Sequence, residues 1–112
     1  GDLYAVFARA PNDVWAAGEY ATVLHFDGTR WSSVAAPPIR GDANGNRLIE
    51  HFAARSANDV WAVATGGDIF HWDGSSWTKS ATVGVPLYAI ASTPSGALVV
   101  AGASGAILRR AP

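Results

Sequence analysis

Two short segments hold most of the side chains that could do chemistry. Residues 25–31 read HFDGTRW and residues 71–77 read HWDGSSW. Histidine can ligate a metal ion or act as a general base, and paired aromatic rings can stack on the flat apolar face of a sugar. The segments therefore raise two hypotheses, a histidine site and an aromatic ligand-binding wall. The aromatic candidates are Phe26, Trp31, Trp72 and Trp77.

The histidines do not form a recognisable catalytic or metal site. His25 and His71 occupy equivalent places, so they should point the same way from different sheets and not converge on one ion. We expect each to pack or hydrogen-bond beside its Asp-Gly turn, and the unique His51 to lie in the core or face a channel. No Ser/His/Asp triad or pair of carboxylates can be assigned. We predict no catalytic residue and no enzymatic activity.

One loop carries a weak calcium signal. Asp42, Asn44 and Asn46 alternate oxygen-bearing side chains as calcium loops do, and Glu50 follows them. The spacing of a full twelve-residue calcium loop is not met, and a polar Gly/Asn turn explains these residues as simply. We therefore predict no metal and no cofactor, with calcium at this loop as the alternative.

Composition limits the class of protein. The 112 residues are 49% hydrophobic, which suits one globular domain, and the absence of cysteine excludes disulfides and thiolate metal sites. A formal net charge of -1 without a basic run makes nucleic acid an unexpected partner. No segment approaches the roughly 18 consecutive apolar residues of a membrane-spanning helix. The first residues lack signal-peptide features, so any targeting segment is expected to have been removed.

The chain is built from repeats. A shift of 46 residues aligns NDVWA at 12–16 with NDVWA at 58–62, together with both histidines and both Asp-Gly pairs. A third copy begins at residue 87, where LYAI repeats LYAV of residues 3–6, a step of 38. The longer first step places an inserted loop in the Pro-, Gly- and Asn-rich segment PPIRGDANGNR.

Each repeat carries signals for short strands joined by tight turns. Apolar runs alternate with turn sequences such as APND and TPSG, and the Asp-Gly pairs predict type I′ hairpins. Both faces of the run VWAVA at 60–64 are apolar, so this strand should be covered on both sides. Four-stranded antiparallel meanders stacked around an axis meet that requirement. The predicted fold is therefore all-β, composed of β-propeller blades.

The repeat pattern sets the predicted boundaries. A single partial β-propeller spans residues 1–112. Within it we predict blade 1 over about 3–36, an inserted loop over about 37–47, blade 2 over about 48–82, and an incomplete, three-stranded third blade over about 86–110.

The segment DVWAVATGGDIFHWDGSSW resembles the repeat of a broad group of bacterial β-propeller proteins that carry DVWAVG, a glycine pair and HWDGxxW in every blade. The resemblance covers nearly the whole chain, with two full copies and a third that lacks its last strand. It implies blade architecture and, because many members are secreted or surface-attached, an extracellular or cell-surface location. It does not imply an activity, since propellers include enzymes, lectins and scaffolds.

Two blades and three strands of a third are too few to close a ring, because propellers have about 4 to 8 blades. Open sheet faces would expose apolar surface. We therefore predict a binding or scaffold module that forms a homo-oligomer, with two chains making six blades, or that is completed by a larger propeller chain. Arg109 and Arg110 should lie on an exposed edge and discourage uncontrolled strand addition.

The alternative function is that of a multivalent carbohydrate-binding lectin with sites near the WDGxxW segments. These segments are similar to the W-D-G-x-x-W of small fucose-binding propeller lectins, which assemble rings from short chains and bind sugar between blades. Those lectins add an arginine and an acidic residue that hold the sugar hydroxyls, whereas the corresponding places here hold Asp59 and Ile69. Packing of adjacent blades explains the same tryptophans, and their burial discriminates between the two interpretations.

Overall fold

The structure, a computed structural model, describes residues 3–18, 22–37, 39, 49–64 and 66–111. Strands account for most of these residues, and each repeat begins with a strand rich in alanine and β-branched or aromatic residues. The strands are β1 (Leu3–Ala10), β2 (Asp13–Gly18), β3 (Thr22–Phe26), β4 (Trp31–Ser33), β5 (Ile49–Ser56), β6 (Asp59–Ala64), β7 (Asp68–Trp72), β8 (Trp77–Thr82), β9 (Leu87–Ser92), β10 (Leu98–Gly102) and β11 (Ile107–Arg110).

The strands form three antiparallel sheets in chain order, β1-β2-β3-β4, β5-β6-β7-β8 and β9-β10-β11. Each sheet is a meander, because every strand pairs with the next along the chain. The predicted all-β architecture of two four-stranded blades and a three-stranded third is confirmed. We refer to the sheets as the first, second and third blades.

Two hydrophobic cores lie between the blades. The second blade has apolar residues on both faces, and residues 60–64 of β6 are all buried, as the sequence predicted. The side chains of one face, including Phe52 and Phe70, pack on the first blade, and those of the other face, including Trp61 and Val63, pack on the third. Alanines such as Ala17 and Ala62 are fully buried where the inner strands approach each other.

The Asp-Gly turns differ from the prediction. Phe26 pairs with Trp31 and Trp72 with Trp77, so each loop has four residues and not the two of a type I′ hairpin. Only the glycine has a positive φ, 100° at Gly28 and 106° at Gly74. The type I′ assignment was wrong because the preceding aspartate accepts hydrogen bonds from later backbone N–H groups and shapes the turn through its side chain.

The connection between the second and third blades is held by backbone contacts. The Val83 N–H donates to the Gly67 carbonyl at 2.7 Å, and the Ala103 N–H donates to the Pro86 carbonyl at 2.9 Å. Gly67 has a φ of 84°, and a Cβ atom there would lie 2.3 Å from the Val83 carbonyl oxygen. The glycine at this position is therefore required by both conformation and space. Of the predicted inserted loop at 37–47, positions 38 and 40–47 lie outside the described residues.

Candidate functional site

In the first blade, a carboxylate, a histidine, an arginine and a tryptophan form one cluster. Asp13 begins β2 and is 5% exposed. His25 Nε2 lies 2.6 Å from Asp13 Oδ1, and Arg9 Nε donates to Oδ2 of the same carboxylate. Trp15 lies directly across from His25 in the β2–β3 register, and the ring centroids are 4.7 Å apart. The strand register therefore brings together residues that are up to 16 positions apart in the sequence.

The second blade repeats this cluster. Arg55 Nε donates to Asp59 Oδ2 at 2.6 Å, and His71 Nε2 lies 2.7 Å from Asp59 Oδ1. The centroids of the Trp61 and His71 rings are 4.4 Å apart. Unlike Trp15, Trp61 also donates its indole N–H to the aspartate, at 2.8 Å. Asp59 therefore holds together an arginine, a histidine and a tryptophan.

The electrostatics of the two clusters favour charged carboxylates. Burial raises the pKa of Asp13, but hydrogen bonds and charge from Arg9 and His25 outweigh it, so the pKa lies below its ordinary value of 3.8. Burial likewise raises the pKa of Asp59, and the bonds from Arg55, His71 and Trp61 bring it below 3.8. The Nε2 atoms of His25 and His71 each contact an aspartate carboxylate. The two clusters belong to separate blades.

The Asp-Gly turn is the third part of the repeated motif. The Thr29 and Arg30 N–H groups donate to Asp27 Oδ1 at 2.9 and 3.0 Å. A Cβ atom on Gly28 would lie 2.8 Å from Asn12 Cβ, in the turn that precedes β2. The Asn-Asp turn and the Asp-Gly turn are therefore in close contact, which explains why both recur together in the repeat.

Aromatic side chains from two blades meet at the first junction. Trp15 packs edge to face against Trp72 and Trp77, with centroid distances of 5.5 and 5.9 Å. Trp72 and Trp77 are 5.5 Å apart, and Phe52 lies 6.4 Å from Trp77. The buried Nε1 atoms of Trp15 and Trp77 have no hydrogen-bond partner among the described residues. The predicted pair Trp72 and Trp77 is thus partly buried against the neighbouring blade.

A cleft of about 460 Å³ lies beside this aromatic cluster. Its lining combines the rings of Trp72 and Trp77 with small residues from the end of the first blade and hydroxyl side chains from the second Asp-Gly turn. The lining residues are Ser33, Val34, Ala35, Ala36, Trp72, Ser75, Ser76 and Trp77. Such a mixture of ring faces and hydroxyls is suited to an amphipathic ligand.

The other predicted pair, Phe26 and Trp31, lies on an open sheet face. The ring centroids are 5.3 Å apart, and Trp31 remains 49% exposed. The strand register places these two rings on the same sheet face as Val14. Trp72 and Trp77 likewise lie on the same face of the second blade as Val60. The two pairs are equivalent in the repeat but differ in environment, because among the described residues only the second pair has a neighbouring blade against it.

The third blade lacks the charged cluster. A shift of 38 from the second blade places Thr93, Ala97, Val99 and Arg109 where Arg55, Asp59, Trp61 and His71 stand. The last position of β11, Arg110, replaces Trp72, and its guanidinium carbon lies 5.0 Å from the Trp61 ring centroid. A cation–π contact therefore replaces the tryptophan cluster at the second junction.

His51 connects the second and third blades. Its Nδ1 lies 2.9 Å from the Ile90 carbonyl oxygen and 3.3 Å from the Ile90 amide nitrogen. Nδ1 can donate to this carbonyl or accept from this N–H, so either ring tautomer has a partner on Ile90. Ser92 Oγ donates to the Ala54 carbonyl at 3.4 Å across the same junction. The structure therefore places this histidine in an inter-blade hydrogen bond.

The described residues bear on metal binding and on membrane spanning. The calcium candidates Asp42, Asn44 and Asn46 lie outside the described residues. Among the residues that the structure describes, no three histidine or acidic side chains come close enough to hold a metal ion. In that same part of the chain, no helix has the length and apolar character needed to cross a membrane.

Sequence reasoning missed the Asp–His–Arg–Trp cluster. The available signal was the recurrence of an aspartate 12 residues before His25 and before His71, with both residues of the pair lost together in the third repeat. That spacing indicates contact only when the β2–β3 register is known.

Comparison with known proteins identifies the fold. No protein-family model matches the sequence, and no curated protein matches it. Among solved structures, the chain is similar to YCF48, a β-propeller protein, in a structure described as YCF48 bound to D1 peptide. The TM-score is 0.76 at 18% sequence identity, over 96% of this chain and 37% of that chain. The similarity shows the propeller fold, and this chain spans little more than a third of that structure's length.

Proposed function

We propose that the chain is a non-enzymatic β-propeller module that binds or organises other proteins and assembles head to tail into a closed ring. The observation that carries the proposal is the presence of two open faces that match the two sides of the internal junctions. The open face of the first blade presents Val6, Phe26 and Trp31, at the places of Phe52, Trp72 and Trp77. Those three counterparts pack on the preceding blade.

The open face of the third blade corresponds to the other side of a junction. Cross-strand pairing places Ala91, Val99 and Arg109 in one row and Ala101 and Ile107 in the next. Ile107 is 74% exposed and Val6 on the first blade is 68% exposed. Apolar side chains that remain this exposed on both terminal sheets favour burial against further blades.

Two copies would supply six blades, within the roughly 4 to 8 that close a propeller. Blades from a longer or different chain would cover the same faces, and they form the competing arrangement. Native mass spectrometry and light scattering of the 112-residue protein distinguish them. We expect twice the 11.6 kDa chain mass. A folded monomer at all concentrations would exclude self-assembly.

The absence of enzymatic activity is supported by the histidine contacts. His25 and His71 each contact an aspartate that also binds an arginine, and His51 contacts a backbone carbonyl. A protein partner is supported by the similar YCF48 structure, which contains a bound peptide by its description. Pull-down with the assembled protein, followed by measured affinity for the captured partner, tests the binding role.

A multivalent carbohydrate-binding lectin is the second candidate, and the cleft beside Trp72 and Trp77 is the observation that favours it. A glycan array on the assembled protein tests it directly. Ser75→Tyr would fill the cleft, whereas Thr29→Tyr places the same ring at the equivalent turn of the first blade, outside the cleft. Glycan binding lost only in the first variant would support this function, and an array without bound glycans would exclude it.

A further inference from the structure

Within the part of the chain that the structure describes, the third blade has an open edge as well as an open face. Among the described residues, β11 pairs only with β10. The equivalent strands of the other blades, β3 and β7, pair on both sides and carry β4 and β8 as their outer neighbours. No described strand therefore pairs with the N–H and C=O groups on the outer side of β11, which is a position where a strand can be added.

A groove of about 370 Å³ runs between β8 and β11, with Trp61 in its lining. The groove exists because the third blade has smaller or charged residues where the second blade has aromatic ones. Leu108 replaces Phe70, Arg110 replaces Trp72, and the described residues contain no counterpart of Trp77. The groove therefore lies at the place in the second junction that Trp77 of the outer strand β8 fills in the first junction.

The charge of β11 restricts which strand can be added. Arg109 and Arg110 are both exposed, and neither contacts a carboxylate of the described residues. Arg110 Nη1 donates to Ser80 Oγ at 3.3 Å, on the opposite wall of the groove. Two adjacent positive charges disfavour a neutral or basic strand and favour an acidic one, since cross-strand charges interact directly.

We infer that β11 and this groove bind an extended segment of a partner protein in which an aromatic residue is followed by an acidic one. The β7–β8 register sets the order, with Trp77 opposite Trp72 and Thr78 opposite His71. In the same register on β11, the aromatic residue lies opposite Arg110 and faces the groove. The acidic residue follows opposite Arg109, and an apolar residue follows opposite Leu108. Main-chain pairing supplies affinity and the side chains supply specificity, as in other strand-addition complexes.

This site rests on the proposed role as a binding module. Strand addition pairs with the edge of β11, whereas ring closure covers the open face of the third blade, and Arg109 lies on that face as well. The probe is a capped peptide, Trp-Glu-Val-Ser-Ala-Thr, which keeps the order of β8. Fluorescence anisotropy of a labelled peptide measures binding, and hydrogen exchange with mass spectrometry locates it. We expect saturable binding and slowed exchange over residues 107–110.

Two control peptides test the mode of binding. A peptide with lysine in place of glutamate should bind about tenfold more weakly, because a cross-strand ion pair becomes a like-charge pair. N-methylation of alternate backbone amides should abolish binding, because it blocks strand pairing. Equal binding of the N-methylated peptide would overturn the proposal, as would protection confined to other strands.

A charge-reversal exchange tests the residue assignment. Arg109→Glu should weaken binding of the glutamate peptide about tenfold and strengthen binding of the lysine peptide by a similar factor. Lys79→Glu makes the same charge change on exposed β8 outside the groove lining and should alter neither affinity. Equal effects of both variants would show that binding depends on net charge and not on the position of the charge, and this result would refute the site. Pairing of β11 with β11 of a second copy, seen by cross-linking, would also refute it. The oligomeric state of the same samples reports separately on ring assembly.

Discussion

Replacement of Trp31 by alanine should dissociate the proposed ring without unfolding its subunits. Trp31 is 49% exposed on the open face of the first blade, so roughly 120 Å² of a side chain of about 250 Å² remains for burial. At about 25 cal/mol/Å², this burial contributes about 3 kcal/mol to one junction. A ring of two copies contains the junction twice. The loss of about 6 kcal/mol corresponds to a Kd that rises by roughly four orders of magnitude.

Sedimentation equilibrium over a dilution series measures this change, and far-UV circular dichroism checks that the subunit stays folded. Lys79→Ala is the control, because Lys79 is exposed on β8 of the second blade, whose two faces already pack on the neighbouring blades. We expect the Lys79 variant to remain assembled at concentrations where the Trp31 variant is monomeric. If Trp31→Ala leaves the dissociation constant unchanged, the open faces are not the contact between copies.

Two further predictions concern the blades themselves. The lowered pKa of Asp59 means that its contribution to stability is present above its ordinary pKa of 3.8 and is lost as pH falls through the lower folded-state pKa. Between pH 7 and about pH 3, the free energy of unfolding of the Asp59→Asn variant, measured by urea titration, should therefore decrease less than that of the unsubstituted protein. An equal decrease in both proteins would contradict the electrostatic role of Asp59. Gly67→Ala should destabilise the protein by about 1–3 kcal/mol, because φ is 84° and the new Cβ would overlap the Val83 carbonyl. Gly84→Ala, where a Cβ meets no atom within 4 Å, should change the melting temperature little.

The repeat allowed the strands and their pairing order to be predicted from the sequence. Alternating apolar runs and turn residues define strands locally, and the recurrence of NDVWA and HWDGSSW shows which strands are equivalent. The doubly apolar β6 also predicted a sheet covered on both faces, as observed. These features depend on residues close together in the sequence or on exact repetition.

Contacts across the sheet could not be predicted in the same way. Asp13 and His25 meet only because a register places Trp15 opposite His25, and that register depends on the length of the intervening loop. The type I′ prediction failed for a related reason. The dipeptide Asp-Gly favours a tight turn, but the side chain of Asp27 accepts two backbone N–H groups and stabilises a longer loop.

The differences between the junctions give the proposed ring its direction. At the first junction, Trp15 contacts two tryptophans, and at the second, Trp61 contacts Arg110. The open face of the third blade offers Val99 at the corresponding place, a much smaller side chain. If the open faces of two third blades were placed together, no tryptophan would fill the space between them. The open face of the first blade, in contrast, presents Phe26 and the half-exposed Trp31. Complementary size therefore favours contact of the third blade with the first blade of another copy over contact between like faces, because large rings on one side fill the space left by valine on the other.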